Sequence, residues 1–259
     1  MRIAMLSGPR TVSTAMLRAW GNRADTAVWD EPLYAHYLDV TGKSHPGADD
    51  VLAAHADEID MSAVTARLAG PIPDGKAIWY QKHIAQHLLP DVDLRWVAQV
   101  NCAFLIRDPA RMLASLWIRY PEATLADTGL LEQVRIFDQV REATGVTPAV
   151  IDSDDVRRDP KDVLSGMCKA LGVPFDEAML SWAPGPRDSD GAWGPHWYDV
   201  VWKSTGFAPP PDDPRPAFDD PRQTAVLDAC QELYDRLSAH RIRGVRTQGG
   251  DGSHCAQKG

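Results

Sequence analysis

The chain has 259 residues, of which 44% are hydrophobic and 24% are charged, and its formal net charge at pH 7 is −9. These values are typical of a globular protein with one large domain, or at most two small ones. The acidic balance argues against a general nucleic-acid-binding protein, which needs a basic surface. No apolar run approaches the roughly 20 residues of a membrane helix, and the first residues lack a secretory apolar segment. We therefore expect a cytoplasmic protein that does not insert into membranes.

Short apolar segments alternate with amphipathic segments through most of the chain. The apolar segments predict strands over residues 3–6, 26–29, 77–81, 101–106 and 148–151. The amphipathic segments predict helices within 33–70, over 128–143 and over about 223–240. Two further helices are expected after Asp108-Pro109 and Asp159-Pro160, because an Asp cap followed by proline is a typical helix start. This alternation predicts an α/β fold of three layers, in which helices flank both faces of a parallel sheet.

The composition changes at Trp182. Residues 182–207 contain four tryptophans among several glycines and prolines, and a stretch rich in proline and aspartate follows. We predict that a single domain covers 1–245 and that 182–221 forms a lid or substrate loop within it. The Gly-rich, polar end of the chain, 246–259, predicts a disordered tail.

The cysteines show no pattern of a metal site or a disulfide framework. No Cys-x-x-Cys pair occurs, and no Cys/His group has the spacing of metal ligands. We expect reduced, mostly buried thiols and a protein without a bound metal. The four positions are Cys102, Cys168, Cys230 and Cys255.

The first strand runs into the turn SGPRTVST (7–14), and a helix follows. Backbone N–H groups at the start of this helix, the hydroxyls of Ser13 and Thr14, and the guanidinium of Arg10 could converge on an anion. Gly8, Pro9 and Thr11 complete the turn. The turn lacks the second glycine and the lysine of the nucleotide-hydrolase P-loop. The pattern therefore predicts a phosphate cradle without ATP hydrolysis, the alternative being an ordinary turn between a strand and a helix.

A second anion-binding pair follows the strand over 101–106. Arg107 stands at the end of this strand, and Ser115 lies about two turns into the next helix. Because the carboxyl ends of parallel strands meet at one edge of the sheet, Arg107 should lie near the cradle. Arg107 and Ser115 could hold a second phosphate by a charged and a neutral hydrogen bond. A salt-bridged arginine and a surface serine are the alternative.

Together these segments resemble the sulfotransferases that use 3′-phosphoadenosine 5′-phosphosulfate (PAPS). SGPRTVST is similar to the loop with which that family binds the 5′-phosphosulfate. Arg107-Asp108-Pro109 followed by Ser115 is similar to its 3′-phosphate motif, in which a serine stands eight residues after an arginine. Residues 152–175 resemble a late segment of the family, which ends in Leu-Gly-x-Pro. The resemblance covers roughly residues 1–180 and implies a P-loop-like sulfotransferase fold.

The resemblance also implies a catalytic base and a catalytic cation. Arg10 stands where many family members carry a lysine that neutralises the leaving phosphate. Two residues are candidates for the base that takes the acceptor's proton. Glu31, in WDEPLYAHYL, resembles the Glu element of the glycosaminoglycan-type enzymes, and its apolar neighbours could bury it. His83, in WYQKHIAQHLLP, resembles the His element of the cytosolic small-molecule enzymes and titrates near neutrality. Both remain candidates, and the adjacent Lys82 should point to the other face of the strand.

The Trp-rich segment 182–207 occupies the position at which the family closes over its nucleotide. The familiar Arg-Lys-Gly pattern is absent from it. We expect Lys203 or Arg187 to lie near the 3′-phosphate, and an indole to stack on adenine or to line the acceptor pocket. Alternatively, these tryptophans anchor a long loop to the core.

The sequence thus predicts a PAPS-dependent sulfotransferase that moves a sulfuryl group in line to a hydroxyl or amine of a small-molecule acceptor. Neither a metal, nor nucleic acid, nor a membrane is expected to take part, and a homodimer is left open. Two alternatives are a nucleotide-dependent kinase on the same scaffold and a non-catalytic nucleotide-binding module. The kinase lacks support, because no Lys-Ser/Thr pair and no obvious magnesium-binding aspartate are present.

Overall fold

The computed structural model describes residues 1–243, and its strands form one parallel sheet in the order β2-β3-β1-β4-β5. Helices cover both faces of this sheet, so the predicted α/β fold is confirmed. The tail predicted over 246–259 lies outside the described residues. The strands are β1 (Arg2–Ser7), β2 (Thr26–Asp30), β3 (Ile78–Ile84), β4 (Asn101–Ile106) and β5 (Ala149–Asp152).

The helices are mostly short, and the longest described one is the last. None of the described helices is long and apolar enough to cross a membrane. They are α1 (Ser13–Gly21), α2 (Tyr34–Thr41), α3 (Ala48–Ala54), α4 (Met61–Leu68), α5 (Pro109–Arg119), α6 (Leu130–Thr144), α7 (Ser153–Arg158), α8 (Pro160–Leu171), α9 (Gly194–Trp197), α10 (Asp199–Trp202) and α11 (Pro221–Ser238).

Alternate residues of β1 build the two sides of the core. Ile3 and Met5 pack with α1 and α8 on one face, whereas Ala4 and Leu6 pack with α5, α6 and α11 on the other. All four side chains are inaccessible to solvent. A strand that is buried on both faces reads as a continuous apolar run, which is why β1 was recognisable from sequence.

The helix starts predicted from Asp-Pro pairs are confirmed. The side chain of Asp108 accepts a hydrogen bond from the backbone of Arg111, and that of Asp159 accepts one from Asp162. A proline fills the first position of each helix, where no backbone donor is needed. The Asp108 cap thus fixes the start of α5 directly after Arg107, the residue that follows β4.

Three parts of the fold differ from the sequence expectation. β3 continues to Ile84, three residues beyond the strand that the sequence predicts over 77–81. The short helix α7 was not predicted, because its sequence SDDVRR has no apolar periodicity. Within 182–207, the long loop predicted from sequence contains the short helices α9 and α10.

The strand order creates a crevice beside β1, where later strands are added on the opposite side of the sheet from earlier ones. β1 lies between β3 and β4, and the connection from β3 to β4 passes from one side of β1 to the other. Ligands of open parallel sheets bind at such a switch point, outside the carboxyl ends of the strands. The segments that follow β1 and β4 therefore face one another there.

Candidate functional site

A cavity of about 610 Å³ opens at the carboxyl edge of the sheet. Its volume lies within the range of small-molecule sites. Although the chain carries a net negative charge, the cations in the cavity wall outnumber the acidic side chains there, Glu31 and Asp127. This concentration of positive charge favours an anionic ligand. The cations are Arg10, Lys82, Arg107, Arg119 and Arg157.

The loop after β1 is held tightly in an unusual backbone conformation. A Cβ on Gly8 would lie 2.6 Å from the carbonyl oxygen of Thr128, so only glycine fits there. Thr11 Oγ1 donates to the carbonyl of Gly8 at 2.7 Å. Arg10 and Val12 adopt φ of 60° and 56°, in the left-handed region that side chains disfavour. Such backbone strain is typical of functional sites.

The start of α1 lies in the cavity wall and has no side-chain cap. Val12 is the N-cap residue and provides no side-chain hydrogen bond to the first turn. The first N–H groups of a helix have no partner within the helix. Ser13 and Thr14 line the cavity beside these groups, as do Pro9 and Arg10. The cradle predicted from sequence therefore faces the cavity, where its donors can bind an anion.

Arg107 and Ser115 join this cradle in one network. Arg107 Nη1 donates to the carbonyl of Arg10 at 2.6 Å, and Arg10 Nε donates to Ser115 Oγ at 2.9 Å. The Nε of Arg107 is buried and has no partner among the described residues. Burial lowers the pKa of Arg107, and nearby Arg157 and Arg10 lower it further. An anion placed among these arginines would relieve their mutual repulsion.

Arg157 is a cation of the cavity wall that the sequence analysis missed. It lies on α7, and its Nε and Nη2 donate to the carbonyls of Ala208 and Pro209 at 2.9 and 2.7 Å. Burial lowers its pKa, and Arg111 lowers it further. Recognising α7 from sequence would have placed this arginine at the end of β5, beside the other strand ends.

The structure corrects the expectation for Lys203 and Arg187. The side chain of Lys203 is exposed, because it follows α10 at a turn that directs it to solvent. Arg187 is half-buried near Gly21, and neither residue lines the cavity. The segment instead contributes apolar and hydroxyl groups to the wall, namely Trp197, Tyr198, Val200, Val201, Ser204 and Phe207.

Glu31 lies in the cavity wall, directly after β2. Its φ of 42° is again in the left-handed region. Lys82 Nζ donates to Glu31 Oε1 at 2.6 Å, to Asp30 Oδ1 at 2.8 Å and to the hydroxyl of Tyr198 at 2.7 Å. All four side chains are buried. Burial raises the pKa of Glu31 and nearby Asp30 raises it further, which together outweigh the opposing effect of Lys82.

The two oxygens of Glu31 differ in their surroundings. Oε1 accepts from Lys82 and lies 3.3 Å from the hydroxyl of Tyr198. Within residues 1–243, no group donates a hydrogen bond to Oε2, and this atom is not among the buried polar atoms without a partner. Oε2 is therefore the oxygen of this carboxylate that can accept a proton from a molecule in the cavity.

The structure also corrects the expectation for His83. Successive residues of a strand point to opposite faces, so Lys82 faces the cavity and His83 faces the core on the other side. The His83 ring packs 5.4 Å from the Trp96 ring, and both of its nitrogens are buried without a partner. Burial lowers the pKa of His83 to about 3. It cannot reach a ligand in the cavity.

Aromatic side chains form the end of the cavity near Glu31. Tyr34 and His87 stack with their ring centroids 4.6 Å apart, and the Tyr34 hydroxyl lies 2.9 Å from His45 Nδ1. Tyr120 and Trp197 complete this wall. Burial lowers the pKa of both His45 and His87, so both imidazoles are neutral at physiological pH.

Two charged groups near the aromatic wall neutralise one another. Asp127 forms an ion pair with Lys43 and accepts hydrogen bonds from the backbone and hydroxyl of Thr124.

In the described part of the chain, no group of three or more His, Cys, Asp or Glu residues could hold a metal ion.

Solved structures of similar fold are sulfotransferases. The sulfotransferase domain of the Synechococcus PCC 7002 olefin synthase is 20% identical, with a TM-score of 0.51 over 88% of this chain and 94% of that one. A sulfotransferase from Alicyclobacillus acidocaldarius is 14% identical, with a TM-score of 0.50 over 93% and 96% of the two chains. At these identities the likeness shows a shared fold.

Two curated relatives come from Arabidopsis thaliana and are named branched-chain-amino-acid aminotransferase-like proteins 1 and 2. They are 36% and 34% identical over 237 and 236 residues, or 90% of this chain. The chain spans only 41% of the length of each relative. The family model described as sulfotransferase domain matches residues 1–240, and the chain thus belongs to the sulfotransferase domain family.

Proposed function

We propose that this sulfotransferase takes its sulfuryl group from PAPS and transfers it to a hydroxyl or amine of a small-molecule acceptor. The observation that carries this proposal is the hydrogen bond from Arg10 to Ser115. It joins the cradle at α1 to the Arg107 pair, so two anion-binding subsites form one wall of the cavity. Glu31 lies in the same cavity.

The residues present fit a nucleotide with two separate anionic groups. The start of α1, with Arg10, Ser13 and Thr14, would hold the 5′-phosphosulfate. Arg107 and Ser115 would hold the 3′-phosphate, with Arg157 close by. The buried, unpartnered Nε of Arg107 supports this assignment, because a buried donor without a partner destabilises the protein unless a ligand satisfies it. When bound, PAPS supplies an activated sulfuryl group on a phosphate leaving group.

Glu31 is the residue that we assign as the base. Its Oε2 would take the proton from the acceptor hydroxyl or amine. A carboxylate whose pKa is raised by burial is a better base near neutral pH than an exposed one. Arg10 would stabilise the negative charge that develops on the phosphate as the sulfuryl group departs. No proton transfer is assigned to His83.

The aromatic end of the cavity supports a small acceptor without a high charge. Its rings provide flat apolar surface, and its two imidazoles are neutral. The carboxylate of Asp127 is already paired with Lys43. A small hydroxylated molecule could place its reacting oxygen at Glu31 and its apolar part against Tyr34 and Trp197. A highly charged polymer would need a long basic groove instead of this aromatic wall.

Calorimetric titration tests the donor. Adenosine 3′,5′-bisphosphate and ATP with magnesium are each titrated into the protein, the former with and without a chelator. Metal-independent binding of the bisphosphate, with little binding of ATP, is the expected result. A preference for ATP with magnesium would overturn the proposal in favour of a phosphotransferase. Absence of binding by both nucleotides would also overturn it.

A further inference from the structure

All three N–H groups of the Lys82 ammonium donate hydrogen bonds to groups within the protein. An ammonium group has three donors. Here the three go to Asp30, Glu31 and Tyr198, at 2.6–2.8 Å. A buried polar group whose donors are all satisfied fixes the positions of its partners relative to one another. Lys82 therefore holds the carboxylate of Glu31 in one orientation.

The hydroxyl of Tyr198 also has all of its hydrogen-bonding capacity satisfied. It donates to Asp30 Oδ2 at 2.6 Å and accepts from Lys82 Nζ and from Trp193 Nε1, the latter at 2.8 Å. A phenol offers one proton and two lone pairs, so these contacts satisfy it. Both oxygens of Asp30 are consequently engaged, whereas Glu31 keeps Oε2 free. The network thus leaves one atom of its two carboxylates available to a ligand.

Tyr198 comes from a distant part of the chain, between α9 and α10, 116 residues from Lys82. We call residues 182–207 the covering segment. Asp190 anchors this segment through a bidentate ion pair with buried Arg18, at 2.6 and 2.7 Å, and a hydrogen bond from Trp202 Nε1. The packing of the covering segment through Asp190 therefore determines whether the Tyr198 hydroxyl reaches Asp30 and Lys82.

We propose that Tyr198 is a positioning residue for Glu31, and that its hydroxyl completes the base only when the covering segment is seated. Tyr198 acts through Lys82 and Asp30 and takes no proton from the substrate. The inference depends on the proposed function only in naming Glu31 as the base.

The charged and titratable groups around Glu31 set the direction of the expected effect. They are Asp30 from β2, Lys82 from β3, Tyr34 from α2 and Tyr198 from the covering segment. Without the Tyr198 hydroxyl, the two carboxylates lose a donor and Lys82 is drawn toward Asp30. The protonated form of Glu31 is then favoured, so its pKa rises.

The test is an infrared titration of Glu31 in the 259-residue chain. The carboxylic acid band is assigned by its loss in Glu31→Gln, and its midpoint is compared between the wild type and Tyr198→Phe. We expect the midpoint to move upward by up to about one pH unit. A hydrogen bond made directly to a charged group contributes about one to two units, and this hydroxyl acts on Glu31 through Asp30 and Lys82. Hydrogen exchange of the amides over 193–202 should also become faster.

Tyr234→Phe is the matched control. Tyr234 donates to the carboxylate of Asp152 at 2.8 Å and is also buried, but it lies on α11, away from the cavity. Its loss should leave the midpoint of Glu31 unchanged. Trp193→Phe, which removes one donor to Tyr198 together with part of a buried ring, should move the midpoint in the same upward direction by less. It provides a second variant if Tyr198→Phe fails to fold.

An unchanged midpoint in Tyr198→Phe, or an equal shift in Tyr234→Phe, would overturn the inference. The titration requires neither nucleotide nor acceptor, so its outcome is separate from that of the proposed function. A shifted midpoint in a protein that does not bind adenosine 3′,5′-bisphosphate would leave the positioning role standing and reject PAPS as the donor.

Discussion

Arg10 Nε donates a hydrogen bond of 2.9 Å to Ser115 Oγ, although 105 residues separate the two in the chain. Arg107, at the end of β4, binds the same loop through the carbonyl of Arg10. The turn after β1 and the helix after β4 therefore form one structural unit. The two motifs that the sequence predicts to bind anions are parts of this unit, which is the arrangement that the proposed binding of a ligand with two anionic groups requires.

Replacement of Arg107 tests this arrangement directly. Arg107→Ala should weaken binding of adenosine 3′,5′-bisphosphate by about ten- to a hundredfold, because a hydrogen bond to a charged group contributes about 1.5–3 kcal/mol. Binding of 5′-AMP, which has no 3′-phosphate, should change much less. Calorimetry of both nucleotides measures the difference. Arg95→Ala is the control, since Arg95 is exposed and pairs locally with Asp93. Equal losses for the two nucleotides would reject the assignment of Arg107 to the 3′-phosphate.

The choice between the two candidate bases is tested by rates. Glu31→Gln should lower the turnover of PAPS by about 10²–10⁴-fold, the usual contribution of a general base, while nucleotide binding persists. His83→Leu should leave turnover unchanged, because the ring faces the core. Release of adenosine 3′,5′-bisphosphate in the presence of a panel of small alcohols, phenols and amines provides the assay. Loss of turnover in His83→Leu, with Glu31→Gln active, would reverse the assignment.

Much of the fold was predictable because its strands are short apolar runs and because α5 and α8 begin with an Asp cap followed by proline. The proximity of Gly8, Arg10, Ser13 and Thr14 was also predictable, because these residues are neighbours in sequence. Arg107 could be placed near them because parallel strands end at one edge. In each case, local sequence determines local structure and the sheet brings the pieces together.

The cluster around Glu31 was not predictable in the same way. Alternation along β3 shows that Lys82 and His83 face opposite sides, but it does not show which side carries the cavity. A lysine within a buried strand does require a charged partner, and the adjacent acidic pair Asp30-Glu31 was a usable signal. Tyr198 gave no such signal, because its contact with Lys82 depends on the tertiary path of the covering segment.

Burial of His83 predicts a loss of stability in acid. Its pKa of about 3 in the folded protein lies below the ordinary value of 6.5. As the pH falls below 6.5, the unfolded chain binds a proton that the folded protein excludes, so the free energy of unfolding decreases. His83→Leu should reduce this slope by about 1.4 kcal/mol per pH unit between the two values. His87, whose pKa is also lowered by burial, contributes in the same direction.

Urea unfolding of the wild type and His83→Leu at several pH values measures the slope. At neutral pH the variant should be at least as stable as the wild type, because it removes two buried nitrogens that have no hydrogen-bond partner. An unchanged slope in His83→Leu would show that this imidazole is accessible to protons in the folded protein.

The ion pair between Arg18 and Asp190 predicts a large stability effect at the anchor of the covering segment. The side chains of Arg18 and Asp190 are only 1% and 5% exposed. Asp190→Asn would leave the guanidinium buried without a counter-charge, and breaking such a pair usually costs about 3–5 kcal/mol. The exposed pair of Asp138 and Arg236 is the matched comparison. Asp138→Asn should cost less than about 1 kcal/mol. Denaturant unfolding of the two variants measures both losses of stability. Similar small losses would mean that Arg18 finds water or another acceptor in the Asp190→Asn variant.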